Sequence, residues 1–395
     1  MKVCMLAYTF YEGDNRVMRY AETLVKRGDE VDVIALRKDG QPREGMVNGV
    51  RVFRIQERIK NEKGQFSYLC RILMFFVRAF FVVGVKHLRN PYRLVHVHSV
   101  PDFLVFAACI PRLTGAKIIL DIHDLLPELY GSKFKVGSDS MTFRSLVQIE
   151  RVSAAFADHV IVANHIWQER LISRSVPAGK CSVFLNFPDG AIFHQVGRKR
   201  ENDKFVILYP GSLNWHQGLD IAIRAFAEIK DEIPKAEFHI YGEGPEKENL
   251  VHLAGELGIQ DRVRFYGAMP LREIAGVIED ADLGVIPKRK DSFGNEAFST
   301  KSLEFMTLGV PVIVADTKVD RYYFDDRIVT FFAGGDEKDL ARQMLQLIRN
   351  PAARQRQIDE AKQFAIRNSW DTKKDQFLDL VDSLTDDETL HSASS

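Results

Sequence analysis

The segment FVILYPGSLNWHQGLDIAIRAFAEI, residues 205–229, contains a strand pattern, a loop and a helix pattern in succession. Phe205–Tyr209 is a continuous apolar run, which is typical of a strand buried on both faces of a parallel sheet. The loop PGSLNWHQG follows, and the apolar residues of Leu219–Ile229 then recur with helical spacing. The segment therefore predicts one β-loop-α unit of a parallel sheet covered by helices.

Similar units occur along the whole chain. Apart from Phe205–Tyr209, strands are predicted at Lys2–Tyr8, Val31–Ala35, Leu94–Ser99, Lys117–His123, Ala157–Ala163, Glu237–Tyr241, Val263–Tyr266, Leu283–Ile286 and Val310–Val314. The alternation of strands and helices predicts an α/β protein with two Rossmann-like, doubly wound parallel-sheet domains facing a central cleft.

A polar segment separates the two series of units. It contains GRKREND, and we predict a linker at residues 191–203. Residues 1–190 are then the N-terminal domain and residues 204–368 the C-terminal domain. The small polar residues at 386–395 predict a flexible tail.

The composition is that of a globular protein, but the charge is unevenly distributed. The 395 residues are 46% hydrophobic and 27% charged, which excludes disordered, collagen-like and disulfide-scaffold proteins. Residues 1–200 contain 30 Lys and Arg against 19 Asp and Glu, a net +11, whereas the remainder contains 24 against 35, a net −11. The basic half predicts an anionic partner, such as a phosphate ligand or an acidic membrane surface.

The cysteines and the N-terminus predict a cytoplasmic protein. The start, MKVCMLAYTFYEGDNR, lacks the cleavage site of a secretory signal and is interpreted as a first strand. The four cysteines are scattered, with no CxxC pair and no histidine at metal spacing. Neither a disulfide framework nor a zinc site is expected.

Residues 66–93 form a very apolar helical segment with a basic stripe. Arg78 interrupts the apolar run, so a spanning helix is not expected. At 100° per residue, Arg71, Arg78 and Arg89 fall within about 20° of one another. One interpretation is a helix packed on a sheet with its arginines in solvent. The other is an interfacial helix on an anionic membrane, and the two are compatible.

Two glutamates, Glu296 and Glu304, flank a predicted helix start in FGNEAFSTKSLEFMTLGVPVIVAD, residues 293–316. The free amides and positive dipole end of a helix N-terminus suit a diphosphate. Glu304 could accept hydrogen bonds from the hydroxyls of a ribose, and Glu296 from those of a sugar beyond the phosphates. Lys301 adds a positive charge at the same helix start. The turn residues Phe298, Ser299 and Thr300 complete this candidate donor site.

At these residues the sequence resembles a known family, the retaining glycosyltransferases of family 4, which have the GT-B fold. The Glu296-x7-Glu304 pair resembles the family signature, and the run from Phe238 to Met269 resembles its middle section. Tyr209–Phe226 occupies the place of its donor-phosphate loop. The resemblance also implies that a final helix, at about 370–385, returns to the first domain.

The resemblance implies transfer of a hexose-type sugar from a UDP- or GDP-linked sugar, with UDP preferred, to an acceptor hydroxyl with retention. The acceptor would be a growing glycan or a lipid-linked glycan, in polysaccharide, lipopolysaccharide or other glycoconjugate biosynthesis. No metal and no other cofactor is expected, and no nucleic acid. The protein would be cytoplasmic, with peripheral association to the inner face of the membrane through residues 66–93.

The resemblance also assigns roles to residues at strand ends. His123 would contact the sugar or orient the acceptor, with Glu296 as the second catalytic residue. Gly13 stands where the family often has paired glycines near the phosphates. Ser212 and Gln217 stand where the family usually has an Arg and a Lys in the donor loop. Lys301 and Arg16 are therefore predicted to supply the missing charge, with Lys288 or Arg289 in reserve.

Two other functions remain open from the sequence. A hydrolysing nucleotide-sugar epimerase would use the same two-domain architecture without an acceptor. A non-catalytic nucleotide-sugar-binding partner protein would explain the loss of the usual cations. Asp280 and Asp282 resemble a metal-binding DxD, but they fall between a helix and a strand and are predicted to be structural.

Overall fold

The computed structural model describes residues 1–58, 65–199 and 203–386. The chain forms two compact units. The first comprises Met1–Asn186 together with the chain from Lys374 onward, and the second comprises Phe187–Lys373.

The first unit contains an eight-stranded sheet and its helices. The strands are β1 (Lys2–Ala7), β2 (Glu30–Arg37), β3 (Glu44–Val47), β4 (Val50–Glu57), β5 (Leu94–His98), β6 (Lys117–Ile122), β7 (His159–Val162) and β8 (Cys181–Val183). The helices of this part are α1 (Asn15–Arg27), α2 (Gln65–Arg89), α3 (Cys109–Leu113), α4 (Leu126–Phe134), α5 (Met141–Phe156) and α6 (His165–Arg174).

The sheet of the first unit has the order β3-β4-β2-β1-β5-β6-β7-β8, and every pairing except β3–β4 is parallel. Strand β5, LVHVH, is buried at all five positions, as expected of a central parallel strand. The β3–β4 hairpin was not predicted. Its turn is Asn48-Gly49, with φ of 49° and 83°, which are the left-handed conformations that a two-residue hairpin turn requires.

The second unit contains a six-stranded sheet that is parallel throughout. Its strands are β9 (Phe205–Pro210), β10 (Ala236–Tyr241), β11 (Val263–Tyr266), β12 (Leu283–Ile286), β13 (Val312–Ala315) and β14 (Thr330–Phe332). The helices are α7 (Leu219–Ile229), α8 (Lys247–Glu256), α9 (Leu271–Glu279), α10 (Thr300–Thr307), α11 (Lys318–Tyr323), α12 (Glu337–Arg349) and α13 (Pro351–Arg367). The strand order is β11-β10-β9-β12-β13-β14.

The segment predicted as a linker is attached to the second unit in its described part. The amides of Val196 and Gly197 donate to the carboxylate of Glu279 at 2.9 and 2.8 Å, and Arg198 pairs with Asp282 at 2.9 Å. The boundary between the units falls after Asn186, four residues before the predicted one. Glu279 is the last residue of α9, and its carboxylate accepts hydrogen bonds from the backbone of Val196 and Gly197. No local sequence pattern indicates this contact. Residues 200–202 lie outside the described residues.

The last helix, α14 (Trp370–Thr385), begins at the end of the second unit and continues into the first. Phe377 is fully buried, with its ring centroid 4.5 Å from that of Tyr20. Arg93 donates to the carbonyl oxygen of Thr385 at 2.7 Å. The first unit is therefore completed by the C-terminal part of the chain. Of the predicted tail, only Asp386 lies within the described residues.

Together, the two sheets, which are parallel apart from the β3–β4 hairpin, and their helices confirm the predicted fold class of two Rossmann-like doubly wound domains.

Candidate functional site

The candidate residues of the first unit lie where its sheet reverses strand order. Strands β2 and β5 lie on opposite sides of β1, and open α/β sheets bind ligands at the carboxyl ends of strands at such a point. Gly13 and Arg16 follow β1, and His123 directly follows β6.

His123 belongs to a polar cluster with His98 and Asp121. Its Nε2 lies 3.2 Å from His98 Nδ1 and 3.4 Å from Asp121 Oδ2, and His98 Nδ1 lies 3.2 Å from the same oxygen. His98 and Asp121 are buried, whereas 22% of the His123 side chain is exposed. Since Nε2 of His123 is engaged inside the protein, a ligand on the exposed side would meet Nδ1.

Arg16 does not occupy the position predicted for a phosphate-binding cation. Its Nε and Nη2 donate to the two carboxylate oxygens of Asp121 at 2.8 and 2.7 Å, and Nη1 donates to the carbonyl oxygen of Phe184 at 2.7 Å. The side chain is buried. A buried carboxylate needs a paired cation, and Arg16 fills that role beneath the site. The sequence prediction for Arg16 is corrected accordingly.

This pairing and the burial set the charges of the cluster. Burial alone would raise the pKa of Asp121, but Arg16 and His123 hold it well below its usual range. Burial and the neighbouring His96 lower the pKa of His98 well below its usual value, and burial lowers that of His96. At neutral pH the cluster therefore holds an ionised Asp121 and neutral rings at His96 and His98.

Histidine and aspartate, the residue types of this cluster, are common metal ligands in other proteins. One ligand atom each from His96, His98 and Asp121 lies within 4.8 Å of the others. Both carboxylate oxygens of Asp121, however, accept hydrogen bonds from Arg16, which already balances the negative charge. A divalent cation would add two charges to a buried cluster without a net negative charge, at a high desolvation cost. The donor set does not fit a metal ion.

Gly13 ends a short turn after β1 and faces open space. A Cβ added there would meet no atom of the described residues within 4 Å, and the amide of Gly13 donates to the carbonyl oxygen of Phe10 at 2.9 Å. The next residue, Asp14, caps α1 by accepting from the amide of Val17 at 3.2 Å. The backbone at Gly13 thus leaves room for a ligand.

In the second unit, close backbone contacts shape the loop after β9. A Cβ at Gly242 would lie 1.8 Å from the carbonyl oxygen of Gly211, and one at Gly218 would lie 2.0 Å from that of Pro287. Only glycine fits at such distances. Because β10 and β12 flank β9, these contacts join three loops at the carboxyl edge of the sheet.

Ser212 and Gln217 bring no charge to this loop. Ser212 is exposed, and its carbonyl oxygen accepts from the Tyr209 hydroxyl at 2.9 Å. Gln217 Oε1 lies 3.0 Å from the same hydroxyl, and its Nε2 lies 3.1 Å from His216 Nε2. The two side chains therefore help to define the loop without supplying a cation.

Lys301 brings a cation to the loop from the start of α10. A Cβ at Gly211 would lie 2.1 Å from Lys301 Cε and 2.9 Å from Nζ, so the lysine side chain lies directly against that glycine. Its Nζ lies 5.4 Å from the centroid of the Tyr209 ring. Burial lowers the pKa of Lys301, with Lys288 acting in the same direction. Helix N-terminus and ammonium together suit an anion.

Glu304 lies one turn into α10. Burial raises the pKa of its carboxyl group, while Lys301 and Thr300 act in the opposite direction. Thr300 Oγ1 lies 3.5 Å from Glu304 Oε1, at the limit of a hydrogen bond. The half-buried pair Lys301 and Glu304 offers one cation and one acceptor within a single helical turn.

The start of α10 leaves polar groups unused within the described residues. Its N-cap, Ser299, makes no side-chain capping hydrogen bond. The buried hydroxyls of Ser299 and Ser302 have no hydrogen-bond partner in the described part of the chain. The ring of Phe298 packs on Tyr323, with centroids 4.9 Å apart, so this residue can offer a ligand its backbone. Buried unsatisfied groups at a helix start are consistent with a ligand site.

Glu296 lies in a loop whose backbone is held by a hydrogen bond from Lys288. Lys288 Nζ donates to the carbonyl oxygen of Ala297 at 2.6 Å and pairs with the buried Asp320 at 2.9 Å. The Glu296 side chain is 8% exposed, and its Oε1 lies 3.6 Å from Nζ of Lys318. Asp320 was not predicted from the sequence, because nothing in the surrounding residues, VADTKVD, indicates that it pairs with Lys288.

The reserve cations are used elsewhere. Lys288 holds the Glu296 loop, as described above. Arg289 pairs with both carboxylate oxygens of Asp220 at 2.6 Å and lies over the Trp215 ring at 4.6 Å. Lys288 and Arg289 are each occupied by an aspartate, whereas Lys301 lies against the backbone of the loop after β9 at Gly211.

Two family models match the two units in turn. The model for the glycosyl transferase 4-like domain matches residues 13–186, and that for glycosyl transferases group 1 matches residues 192–364. This chain belongs to the GT-B glycosyltransferases of the family 4 type.

Individual proteins agree with this assignment. The Bacillus subtilis protein EpsD, described as a glycosyltransferase, is 25% identical over 312 residues, which cover 75% of this chain and 78% of EpsD. The sucrose-phosphate synthase of Thermosynechococcus elongatus has the same fold, with a TM-score of 0.79, 17% identity and full coverage of both chains. The Anabaena protein HepE, solved with UDP and glucose, has a TM-score of 0.73 and 19% identity, covering 97% of this chain and all of HepE.

In this glycosyltransferase, Asp280 and Asp282, which resemble a metal-binding DxD motif, have structural roles. The carboxylate of Asp282 accepts from the amide of Val206 at 2.8 Å and from Arg198 at 2.9 Å. Asp280 Oδ1 accepts from the amide of Lys199 at 2.7 Å. Both aspartates thus hold the chain that leads into β9.

Proposed function

We propose that this glycosyltransferase transfers a hexose-type sugar from a UDP-sugar to a hydroxyl of a glycan or lipid-linked glycan, with retention at the anomeric carbon. The observation that supports this most strongly is the position of Lys301 against Gly211, at a helix start with unused polar groups. This position restores a cation to a donor loop that lacks the usual Arg and Lys.

In this proposal the second unit binds the donor. The amides and hydroxyls of Phe298–Lys301 and the ammonium of Lys301 bind the diphosphate, with Ser212 and Gln217 in the facing loop. Glu304 accepts hydrogen bonds from the ribose, and Glu296 from hydroxyls of the transferred sugar. HepE, which shares the fold, was solved with UDP and glucose, and this favours a UDP donor.

Catalysis rests on stabilising the leaving diphosphate. Negative charge grows on it as the sugar acquires oxocarbenium character, and fixed dipoles with a nearby cation stabilise that charge without reorganisation. A retaining double displacement would need a carboxylate nucleophile at the anomeric carbon. We propose instead attack from the face of the departing phosphate, whose oxygen accepts the proton of the acceptor hydroxyl. No metal ion takes part in this scheme.

The first unit contributes His123 and the acceptor site. Nδ1 of His123 contacts a hydroxyl of the sugar or of the acceptor, with the ring oriented by His98 and Asp121. Gly13 lets a ligand approach the backbone after β1. The net positive charge of residues 1–200 favours an acceptor that carries phosphate.

A substitution at Glu296 tests the donor site. Glu296→Gln should lower kcat by about 10²–10³, because a contact that strengthens in the transition state is lost. The matched control is Glu248→Gln, an exposed glutamate on α8 of the same unit, which should leave turnover unchanged. NMR of the product should show the anomeric configuration of the donor. Wild-type turnover in Glu296→Gln would refute the site assignment, and an inverted product would refute retention.

The alternatives are not favoured, because both matching family models are glycosyltransferase models. A hydrolysing epimerase would release epimerised free sugar from the donor without any acceptor. A non-catalytic partner would bind donor and turn over none of it. Incubation with UDP-sugars, with and without an acceptor pool, separates these outcomes.

We also propose a cytoplasmic location with peripheral attachment to the membrane through α2. Among the described residues, the stretch Ser67–Arg89 is long and apolar enough to cross a membrane, and 28% of its most apolar window is buried. The charges of its basic stripe favour a position at the surface of an anionic membrane.

A further inference from the structure

A groove of about 1220 Å³ runs between α2 and the edge formed by β2 and β4. Pockets for small molecules measure about 300–1,000 Å³. The groove therefore exceeds what a compact ligand fills. It belongs wholly to the first unit and is separate from the His123 cluster.

One wall of the groove is apolar and exposed. Met74, Val77, Phe81 and Val85 of α2 line it, and they are 49%, 50%, 62% and 48% exposed. Their spacing places them on one helix face about 16 Å long, at 1.5 Å per residue. An exposed apolar stripe of this length is rare on a soluble surface and suits a hydrocarbon chain.

The helix itself explains why this stripe is not needed for folding. Ile72, Phe75, Ala79 and Val83 form a separate stripe on α2 that is buried. On the buried side, Gly84 lets Ile110 of α3 approach, because a Cβ there would lie 2.6 Å from Ile110 Cδ1. The core contact is therefore complete without the groove residues.

The remaining walls are basic. The cationic side chains that line the groove are Arg37, Arg43, Arg54, Arg71, Arg78, Lys86 and Arg89, and its anionic ones are Glu44 and Glu57. Arg37 pairs with Glu57 at 2.6 Å. Lys86 lies 3.2 Å from the centroid of the Phe53 ring on β4, and Arg78 donates weakly to the carbonyl oxygen of Ile55 at 3.4 Å. Arg54 is buried and pairs with Glu12, so it is not counted among the cations open to the groove. The remaining cations still outnumber Glu44, and this excess beside the apolar wall favours an anionic head group.

One end of the groove reaches the carboxyl edge of the sheet. Arg37 and Glu57, which end β2 and β4, line it. Tyr8, directly after β1, contacts the first turns of α2, with its ring centroid 6.4 Å from that of Tyr68 and 5.1 Å from that of Phe75. His123 follows the end of β6 on the same edge, because β6 is parallel to β1, β2 and β4 within the sheet. A chain in the groove can thus deliver its head group to the catalytic edge.

We propose that this groove binds the lipid phosphate that anchors the acceptor, with the hydrocarbon chain along Met74–Val85 and the phosphate among the basic residues. This inference rests on the proposed function, since it names the chemical class of the acceptor. It is distinct from attachment to a flat membrane surface, because one lipid molecule is held individually.

The experiment measures binding of dodecyl phosphate below its micelle concentration, by calorimetry on the 395-residue chain. Phe81→Ser and Val77→Ser should each weaken binding by about tenfold, because each removes apolar contact. The matched control is Leu73→Ser, since Leu73 is 45% exposed on the same helix but does not line the groove. Arg78→Ser should also weaken binding, whereas Arg144→Ser, an exposed arginine on α5, should not.

Each outcome decides for or against the groove. Binding of dodecyl phosphate, with little or none for dodecanol or inorganic phosphate, and loss in the groove variants alone support it. Equal loss in Leu73→Ser would indicate a flat apolar surface and overturn the proposal, as would no binding of dodecyl phosphate. UDP binding to the same variants, measured by thermal shift, is a separate readout that reports on the proposed donor site. If the unmutated chain does not bind UDP, the proposed function is contradicted, whereas the result for dodecyl phosphate binding to the groove still stands.

Discussion

Lys301 is the residue whose role depends most on tertiary contact. Its neighbours in sequence mark only a helix start, and its closeness to Gly211 comes from a loop about ninety positions earlier. A half-buried ammonium beside a glycine backbone attracts a phosphate more strongly than a fully exposed one, because water screens it less.

Lys301→Met should raise the dissociation constant for UDP by about 10–100-fold, the value of a charge-assisted hydrogen bond. Lys301→Arg should restore part of the affinity. Because burial lowers the pKa of Lys301, UDP binding should also weaken with rising pH before an ordinary lysine, with pKa about 10.4, would lose its charge. Calorimetry from pH 7 to 10 measures both effects. Lys338→Met, at an exposed position of α12, is the control, and an unchanged constant in Lys301→Met would contradict the assignment.

The buried, neutral His96 and His98 should make the stability of the first unit sensitive to acid. Burial lowers their pKa values, so below about 6.5 the unfolded chain takes up protons that the folded chain does not, and the free energy of unfolding falls. Asp121 acts in the same direction at lower pH. Its pKa is well below the usual value, so its stabilisation is present above about 3.9 and is lost as the pH falls.

Hydrogen exchange of peptides from β5 and β6, measured between pH 8 and 5 with correction for the intrinsic rate, tests this prediction. His96→Phe should flatten the loss of protection, because one buried neutral histidine is removed. The exposed His252→Asn on α8 should not alter it. An equally steep loss in His96→Phe would show that His96 does not carry the effect.

At the scale of elements, α14 is the helix whose place the local sequence leaves open. Its amphipathic pattern indicates a helix, but the partner of its apolar face lies hundreds of residues away. Phe377 is fully buried against Tyr20 of α1, and Arg27 pairs with Asp382 at 2.5 Å. The first unit thus uses a helix from the opposite end of the chain to close its core.

Phe377→Ala should therefore destabilise the first unit by about 3–5 kcal/mol, the cost of a large cavity. The second unit should keep its stability. Urea unfolding followed by hydrogen exchange on peptides of each unit measures the difference. Ile366→Ala on α13, at a 61% exposed position, is the control, and equal loss in both units would contradict the assignment of Phe377 to the first.

At the scale of the whole molecule, the balanced net charge conceals two oppositely charged halves. Residues 1–200 carry a net +11 and the remainder a net −11, so electrostatic attraction to an anionic surface acts on the first part of the chain. The exposed apolar residues of α2 lie in that same part.

The protein should therefore float with vesicles that contain anionic phospholipid and remain behind with neutral ones. Raising the salt concentration to about 0.5 M should reduce flotation, since the Debye length falls well below 10 Å. Arg71→Ser combined with Arg89→Ser should reduce it further, whereas Arg144→Ser should not. Failure to float with either vesicle type would remove the membrane proposal.

The sequence by itself determined the fold class, the position of most strands and the two glutamates at the start of α10, with Glu296 in the preceding loop and Glu304 inside the helix. These follow from local periodicity and from chain neighbours, and α7, β11 and β12 have the predicted bounds. It missed the β3–β4 hairpin, although Asn48-Gly49 is a recognised turn signal.

The tertiary structure alone decided which charges are free for a ligand. Arg16, Lys288 and Arg289 are all cations near a predicted site, yet each is paired with an aspartate far along the chain. The pairs of Arg16 and Lys288 form because a buried charge must be neutralised, and nothing in the local pattern indicates any of the three partners. The position of Lys301 against Gly211, and of His98 against His123, likewise follows from how distant loops meet at a sheet edge.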